Sequence, residues 1–105
     1  MTIAEFYQKN GEITGFKVKG HSDYDEEGSD IVCASVSSAV MVTANLITDI
    51  FGYKADVSAV GDTVSLKTDI PCDKILQGLY SGLEMQLKAI AEEFNENLKV
   101  KYTEV

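Results

Sequence analysis

The chain has 105 residues, 45% of them hydrophobic, and a formal net charge of −8. This suits one domain, 1–105, with a small core, and the acidic total speaks against a basic nucleic-acid-binding surface. Two cysteines and one histidine are too few for a disulfide framework or a structural zinc site, so no metal or cofactor is expected.

Met1-Thr2-Ile3-Ala4-Glu5 has neither the basic nor the apolar part of a signal peptide. No apolar run is read as reaching the ~20 residues of a membrane span. The expected setting is therefore cytoplasmic and reducing, with free thiols and no membrane partner.

Thr2 to Gln8 and Glu12 to Lys19 flank Asn10-Gly11, the strongest short hairpin signal, because a primed turn needs two positive φ angles. Ile13, Gly15, Lys17 and Lys19 alternate with Thr14, Phe16 and Val18, which predicts a strand with one covered face. Gly20-His21 lies at the strand end. Ser22 to Ser29 holds four acidic residues and no apolar periodicity. It reads as a loop, with Gly28 giving freedom near its far end.

Asp30 or Ser29 fits a helix N-cap, and apolar residues then recur at helical spacing from Ile31 to Phe51. Val32, Val36, Ala39, Thr43, Ile47 and Ile50 form one stripe, widened by Val40, Ala44 and Phe51. A helix apolar on most sides is expected to have more than one neighbour. Gly52 is the predicted C-cap. Ala55 to Val60 and Thr63 to Thr68 pattern as a second hairpin around Gly61-Asp62. Asp69 and Pro71 read as a helix start, and Asp73 to Asn95 as an amphipathic helix. Its expected inner face is Ile75, Leu79, Leu83, Leu87, Ile90, Ala91 and Phe94, with Gly78 and Gly82 marking close packing. Leu98 to Val105 closes as a strand. The order ββαββαβ predicts an α+β fold: two layers, a largely antiparallel sheet covered by two long helices.

The chemistry gathers at the ends of the acidic loop. A thiol has a pKa of about 8.5 and becomes a useful nucleophile as the thiolate. With Asp30 as cap, Cys33 falls in the first helical turn, where the helix dipole favours an anion. Free N–H groups there can also receive an oxyanion. His21, brought back by the loop, can take the thiol proton and return it to a leaving amine. Loop residues Ser22, Asp23, Tyr24 and Gly28 would then form a lid. Asp23, Asp25, Glu26 and Glu27 could attract a basic substrate tail. Cys72 has no second histidine to pair with and reads as packing.

Gly20-His21, Asp30-Ile31-Val32-Cys33-Ala34 and the nearby Ser37 together resemble the motif of the ribosomal-processing cysteine protease family, Prp, and the likeness extends over essentially the whole chain. Ser22 and Ser35 stand where that family usually has Ala, small-for-small changes that leave the chemistry intact. The resemblance implies a His21/Cys33 dyad, with Gly20, Asp30, Ala34 and Ser37 as supporting or substrate-binding positions. Asp30 would cap the helix or orient His21. Ser37, one turn past Cys33, would hold a water, substrate backbone or the imidazole, or simply pack. The resemblance further implies a homodimer that removes a short N-terminal extension from large-subunit ribosomal protein twenty-seven. The competing expectation is a non-enzymatic dimeric module that binds a ribosomal protein or particle, with Cys33 a packed thiol.

Overall fold

The computed structural model describes residues 1–20, 29–69 and 73–105. Five strands and two helices follow in the predicted order: β1 (Thr2–Lys9), β2 (Glu12–Lys19), α1 (Ser29–Asn45), β3 (Ala55–Val60), β4 (Thr63–Thr68), α2 (Lys74–Glu93) and β5 (Leu98–Glu104). The strands form one sheet in the order β3-β4-β2-β1-β5. Three of the four pairings are antiparallel, and β1 with β5 is parallel. The two helices pack on one face. Between helices and sheet lie Ala4, Phe6, Phe16, Val18, Leu66, Val32, Val36, Val40, Leu76, Tyr80, Leu83 and Leu87, all buried. A fully buried side chain of the larger kind is worth roughly 1.5–3 kcal/mol.

The β1–β2 turn takes the expected primed form, with Asn10 at φ 53° and Gly11 at φ 80°. The alternation expected along β2 does not hold throughout. The register slips between Tyr7 and Gln8, where Tyr7 faces Gly15 but Gln8 faces Ile13. This bulge leaves Thr14 as the extra residue and turns Ile13 inward with Phe16 and Val18. The Gln77 side chain of α2 repairs the ladder there. It accepts from the Ile13 N–H at 2.9 Å and donates to the Ile13 carbonyl at 2.7 Å. Nearby, the Tyr80 hydroxyl lies 2.6 Å from Thr68 Oγ1 and donates to the Thr14 carbonyl at 3.3 Å. Burial pushes the Tyr80 phenol up to about 12.

The first helix departs from expectation in three ways. Its helical residues begin at Ser29, so Asp30 lies inside the first turn and is not the cap. Its C-terminal end widens into a π-helical turn, Leu46–Ile50. There the Phe51 N–H donates to the Leu46 carbonyl at 2.8 Å. Wider winding rotates the stripe, so Ile50 and Phe51 point to solvent at 69% and 48% exposure while Ile47 stays buried. Gly52 follows at φ 68°, in the predicted C-terminal role. Finally, the 21 residues Asp30–Ile50 are long and apolar enough to cross a membrane, with a mean hydropathy of 1.8 over their most apolar 18-residue window. The interspersed Ser and Thr residues do not offset its Val, Ala, Ile and Met. In this fold the helix lays Val32, Val36, Val40 and Ile47 on the sheet, and only 28% of its most apolar window is buried.

In α2 the cap is Asp73, not Asp69: its carboxylate accepts from the Leu76 N–H at 3.0 Å. Pro71 and Cys72 lie outside the described residues. The buried stripe is Leu76, Tyr80, Leu83, Leu87 and Ile90. Ile75, placed inward from sequence, is 54% exposed because Leu76 and Tyr80 set the phase of the first turns. Gly78 and Gly82 do not mark close packing, since a Cβ at either position would meet nothing within 4 Å. Gly15 is the glycine that packing does require: a Cβ there would sit 2.5 Å from the Leu66 carbonyl oxygen of the adjoining strand.

Asp73 also accepts from the Tyr53 hydroxyl at 2.8 Å. The Leu76 N–H and then this hydroxyl hold its carboxyl below the ordinary Asp range. A depressed folded-state pKa gives stability that is complete above the unfolded value and lost as pH falls through the folded one. Asp73→Ala should therefore lower the thermal midpoint at neutral pH. The deficit should shrink as pH drops below the ordinary Asp range. A deficit of the same size across that acid range, in calorimetry, would reject this role for the carboxylate.

Candidate active site

β2 is interior to the sheet, flanked by β4 and β1, so its end is well fixed. Just past that end the Gly20 N–H donates to the Asp62 carbonyl at 3.0 Å, tying it to the β3–β4 turn. The turn is opened by Gly61 at φ 61°. α1 crosses above, held by Val32, Val36 and Val40 in the core. Helix, strand end and turn enclose a cavity of about 140 Å³ lined by Thr2, Val18, Gly20, Cys33, Val36, Ser37, Val40, Met41, Asp62 and Val64.

Cys33 is a free, partly exposed thiol on this wall. It is the fifth residue of α1, two positions deeper than a cap at Asp30 would have placed it. Its own N–H is therefore inside the helical ladder, past the N–H groups of Ser29, Asp30 and Ile31. Helical side chains lean towards the N-terminus, so the sulfur lies back over the first turn, where those N–H groups and the dipole act.

Among the expected site positions, Gly20, Cys33 and Ser37 line one cavity. Ala34 does not join them. It lines a groove between α1 and α2 with Ser35, Ser38, Val42, Gly82 and Gln86. Asp30 is exposed at the helix start and is not part of the cavity wall. His21, Ser22, Asp23, Tyr24 and Gly28 lie outside the described residues. Sequence reasoning did not identify Thr2, Val18, Met41, Asp62 or Val64 as cavity residues. Only Gly61-Asp62 carried a local signal, that of a tight turn. The rest meet the thiol through tertiary packing alone. No group of three or more potential metal ligands occurs among the described residues.

A two-layer α+β domain with a free thiol over a helix start, opening on a mostly apolar cavity, has the form of a thiol hydrolase. The family model "Cysteine protease Prp" matches residues 1–99, and the chain belongs to that family: it is a cysteine protease. It is 28% identical over 104 residues to the ribosomal processing cysteine protease Prp of Staphylococcus aureus strain Mu50, covering 97% of this chain and 98% of that one. The Prp of Bacillus subtilis strain 168 is 27% identical over 105 residues, with 94% and 92% covered. The crystal structure of S. aureus Prp with a covalently linked product peptide superposes with a TM-score of 0.87 at 25% identity. That match covers 98% of this chain and all of the other.

Proposed function

We propose that this protease is a cytoplasmic cysteine endopeptidase that removes the short N-terminal extension of large-subunit ribosomal protein twenty-seven. Cys33 is the nucleophile and His21 the general base. The observation that carries the reading is the placement of the Cys33 thiol on the same cavity wall as Gly20, the residue directly before His21. The names of the relatives, ribosomal processing proteases, support the substrate class.

His21 accepts the thiol proton and Cys33 Sγ attacks the scissile carbonyl carbon, forming a C–S bond. The N–H groups at the start of α1 stabilise the oxyanion. The C–N bond then breaks, and the proton on His21 goes to the leaving amine. Water, deprotonated by His21, hydrolyses the thioester and restores the thiol. Val18, Val36, Val40, Met41 and Val64 offer an apolar seat for a substrate side chain beside the scissile bond. Ser37 sits one turn from Cys33 on the same wall and supplies a hydroxyl for substrate backbone or water.

The test is incubation of the protein with unprocessed ribosomal protein twenty-seven from the same organism, read by intact mass. A single N-terminal cut is expected. Binding without any cut would transfer the assignment to the non-catalytic module.

A homodimer completes the reading. Met41 and Val42 on α1, with Ile50 and Phe51 beyond it, are 48–69% exposed, an apolar surface suited to a second copy. Light scattering should give a dimer mass, and Val42→Glu with Ile50→Glu a monomer. An unmodified chain that stays monomeric at 100 µM would remove the second copy from the proposal.

A further inference from the structure

We infer that the helix-free face of the sheet is a docking surface for the phosphate backbone of RNA. The chain is acidic overall, yet its charges are segregated. Alternation along the strands sends Lys9, Lys17, Lys19, Lys67, Lys99 and Lys101 to the face opposite the helices, and all six are exposed. That is six of the nine cationic side chains in the sequence. Along the same strands, Glu5, Glu12 and Asp56 are the acids that share this face.

The register fixes the pattern. Lys19 and Lys99 both pair with Ile3, and Lys17 and Lys101 both pair with Glu5. Within each strand the two lysines are two residues apart, about 7 Å, and β1 separates the pairs, about 10 Å in all. Four lysine Cα positions thus mark the corners of the patch. Glu5 at its centre is engaged by Thr103 Oγ1 at 2.5 Å and Lys101 Nζ at 4.0 Å. These partners, Thr103 first, hold its carboxyl below the ordinary range. Lys67 extends the patch, its Nζ 4.9 Å from the centre of the Tyr7 ring.

The patch fits a polyanion, and an open sheet backed by helices is a platform of the kind that carries RNA. The choice of RNA over other polyanions rests on the proposed substrate, a ribosomal protein. The acids of α2 belong to the helical layer, on the other side of the sheet from the patch. The whole-chain charge, which argues against nucleic acid, therefore misrepresents this face. The thiol cavity lies on the helical side, so the patch is separate from the cutting site.

The test uses fluorescence anisotropy with a fluorescein-labelled 16-nucleotide oligouridine and the full chain. Binding in the micromolar range is expected at 50 mM KCl. With four phosphate contacts on a single strand, affinity should fall about 50-fold at 200 mM. Lys17→Gln with Lys19→Gln, and separately Lys99→Gln with Lys101→Gln, should each weaken binding severalfold. Each should also make the salt slope shallower by about 1.4. Lys74→Gln with Lys88→Gln, on the helical side, should change neither. Circular dichroism shows that each variant is folded, and cleavage of a free peptide should be unaltered. No binding up to 100 µM at 50 mM KCl would overturn the proposal. So would equal losses from the face and the helical-side variants, or binding to phosphatidylserine vesicles without binding to RNA. Since the readout is binding, failure here leaves the protease reading standing, and failure of cleavage leaves this result interpretable.

Discussion

Cys33→Ala is expected to reduce cleavage of the ribosomal protein precursor by roughly 10⁴-fold or more while leaving the fold intact. A covalent route loses its first bond when the sulfur is removed, and what survives is orientation and oxyanion stabilisation alone. The thiol is partly exposed on a cavity wall and not in the sealed core. Replacing it with a methyl group should therefore move the unfolding free energy by no more than about 1 kcal/mol. A packed structural thiol predicts the reverse: activity retained and stability lost. His21→Ala separates the dyad from a lone thiolate, with an expected loss of roughly 10²–10⁴-fold from removal of a general base. Alkylation gives an independent view. In a Cys72→Ala background, the reaction of iodoacetamide with Cys33 can be followed on its own. His21→Ala should slow that reaction near neutral pH. Alkylation that is indifferent to His21, together with full activity of Cys33→Ala, would leave the catalytic assignment without support.

The parts of the fold that could be read from sequence are those fixed by local chemistry. Asn10-Gly11 demanded two positive φ angles and received them. Ala55–Val60 and Thr63–Thr68 appear with the predicted limits, because turn residues and β-branched runs mark them without help from distant contacts. Elsewhere the deciding partner is remote. The inward turn of Ile13 depends on a bulge whose backbone groups are satisfied by Gln77, 64 residues away. The phase of α2 depends on Tyr80 reaching Thr68 and Thr14 on two different strands. The parallel pairing of β5 with β1 leaves no turn signal, since the strands are joined through most of the chain. The candidate site divides in the same way. A Cys in the opening turns of an apolar helix and a Gly-His pair at a strand end were visible as sequence. The cavity between them was not, because Thr2, Val18, Asp62 and Val64 come from three strands and a turn. Charge behaved similarly. A total of −8 hides six lysines that become one face only after the strands are set in register.

The largest loss of stability is expected from Phe16→Ala, at about 3–5 kcal/mol. Phe16 is fully buried on β2. It has Phe6 across one ladder and Leu66 across the other, and it meets Tyr80 of α2 edge-on at 6.2 Å between ring centres. Removing the ring leaves a cavity walled by two strands and a helix. Neighbours cannot collapse into it without breaking a ladder, which places the cost in the upper part of the range for such truncations. A domain of this size has about 5–15 kcal/mol in total, so the variant should sit close to its unfolding threshold. The thermal midpoint should fall by at least about 12 °C. Urea titration should show a lower midpoint at an unchanged slope, the sign of lost stability in an otherwise similar fold. Lys17→Ala, the next residue but on the exposed face, should stay within about 0.5 kcal/mol. The site should follow the strand: Val18 is two residues further along the same face and lines the thiol cavity, and Gly20 closes β2 against Asp62. Cleavage by Phe16→Ala should therefore fail at a temperature well below that for the wild type, tracking its own unfolding curve. A loss under 1 kcal/mol would mean that the centre of the sheet is not where the folding energy is concentrated.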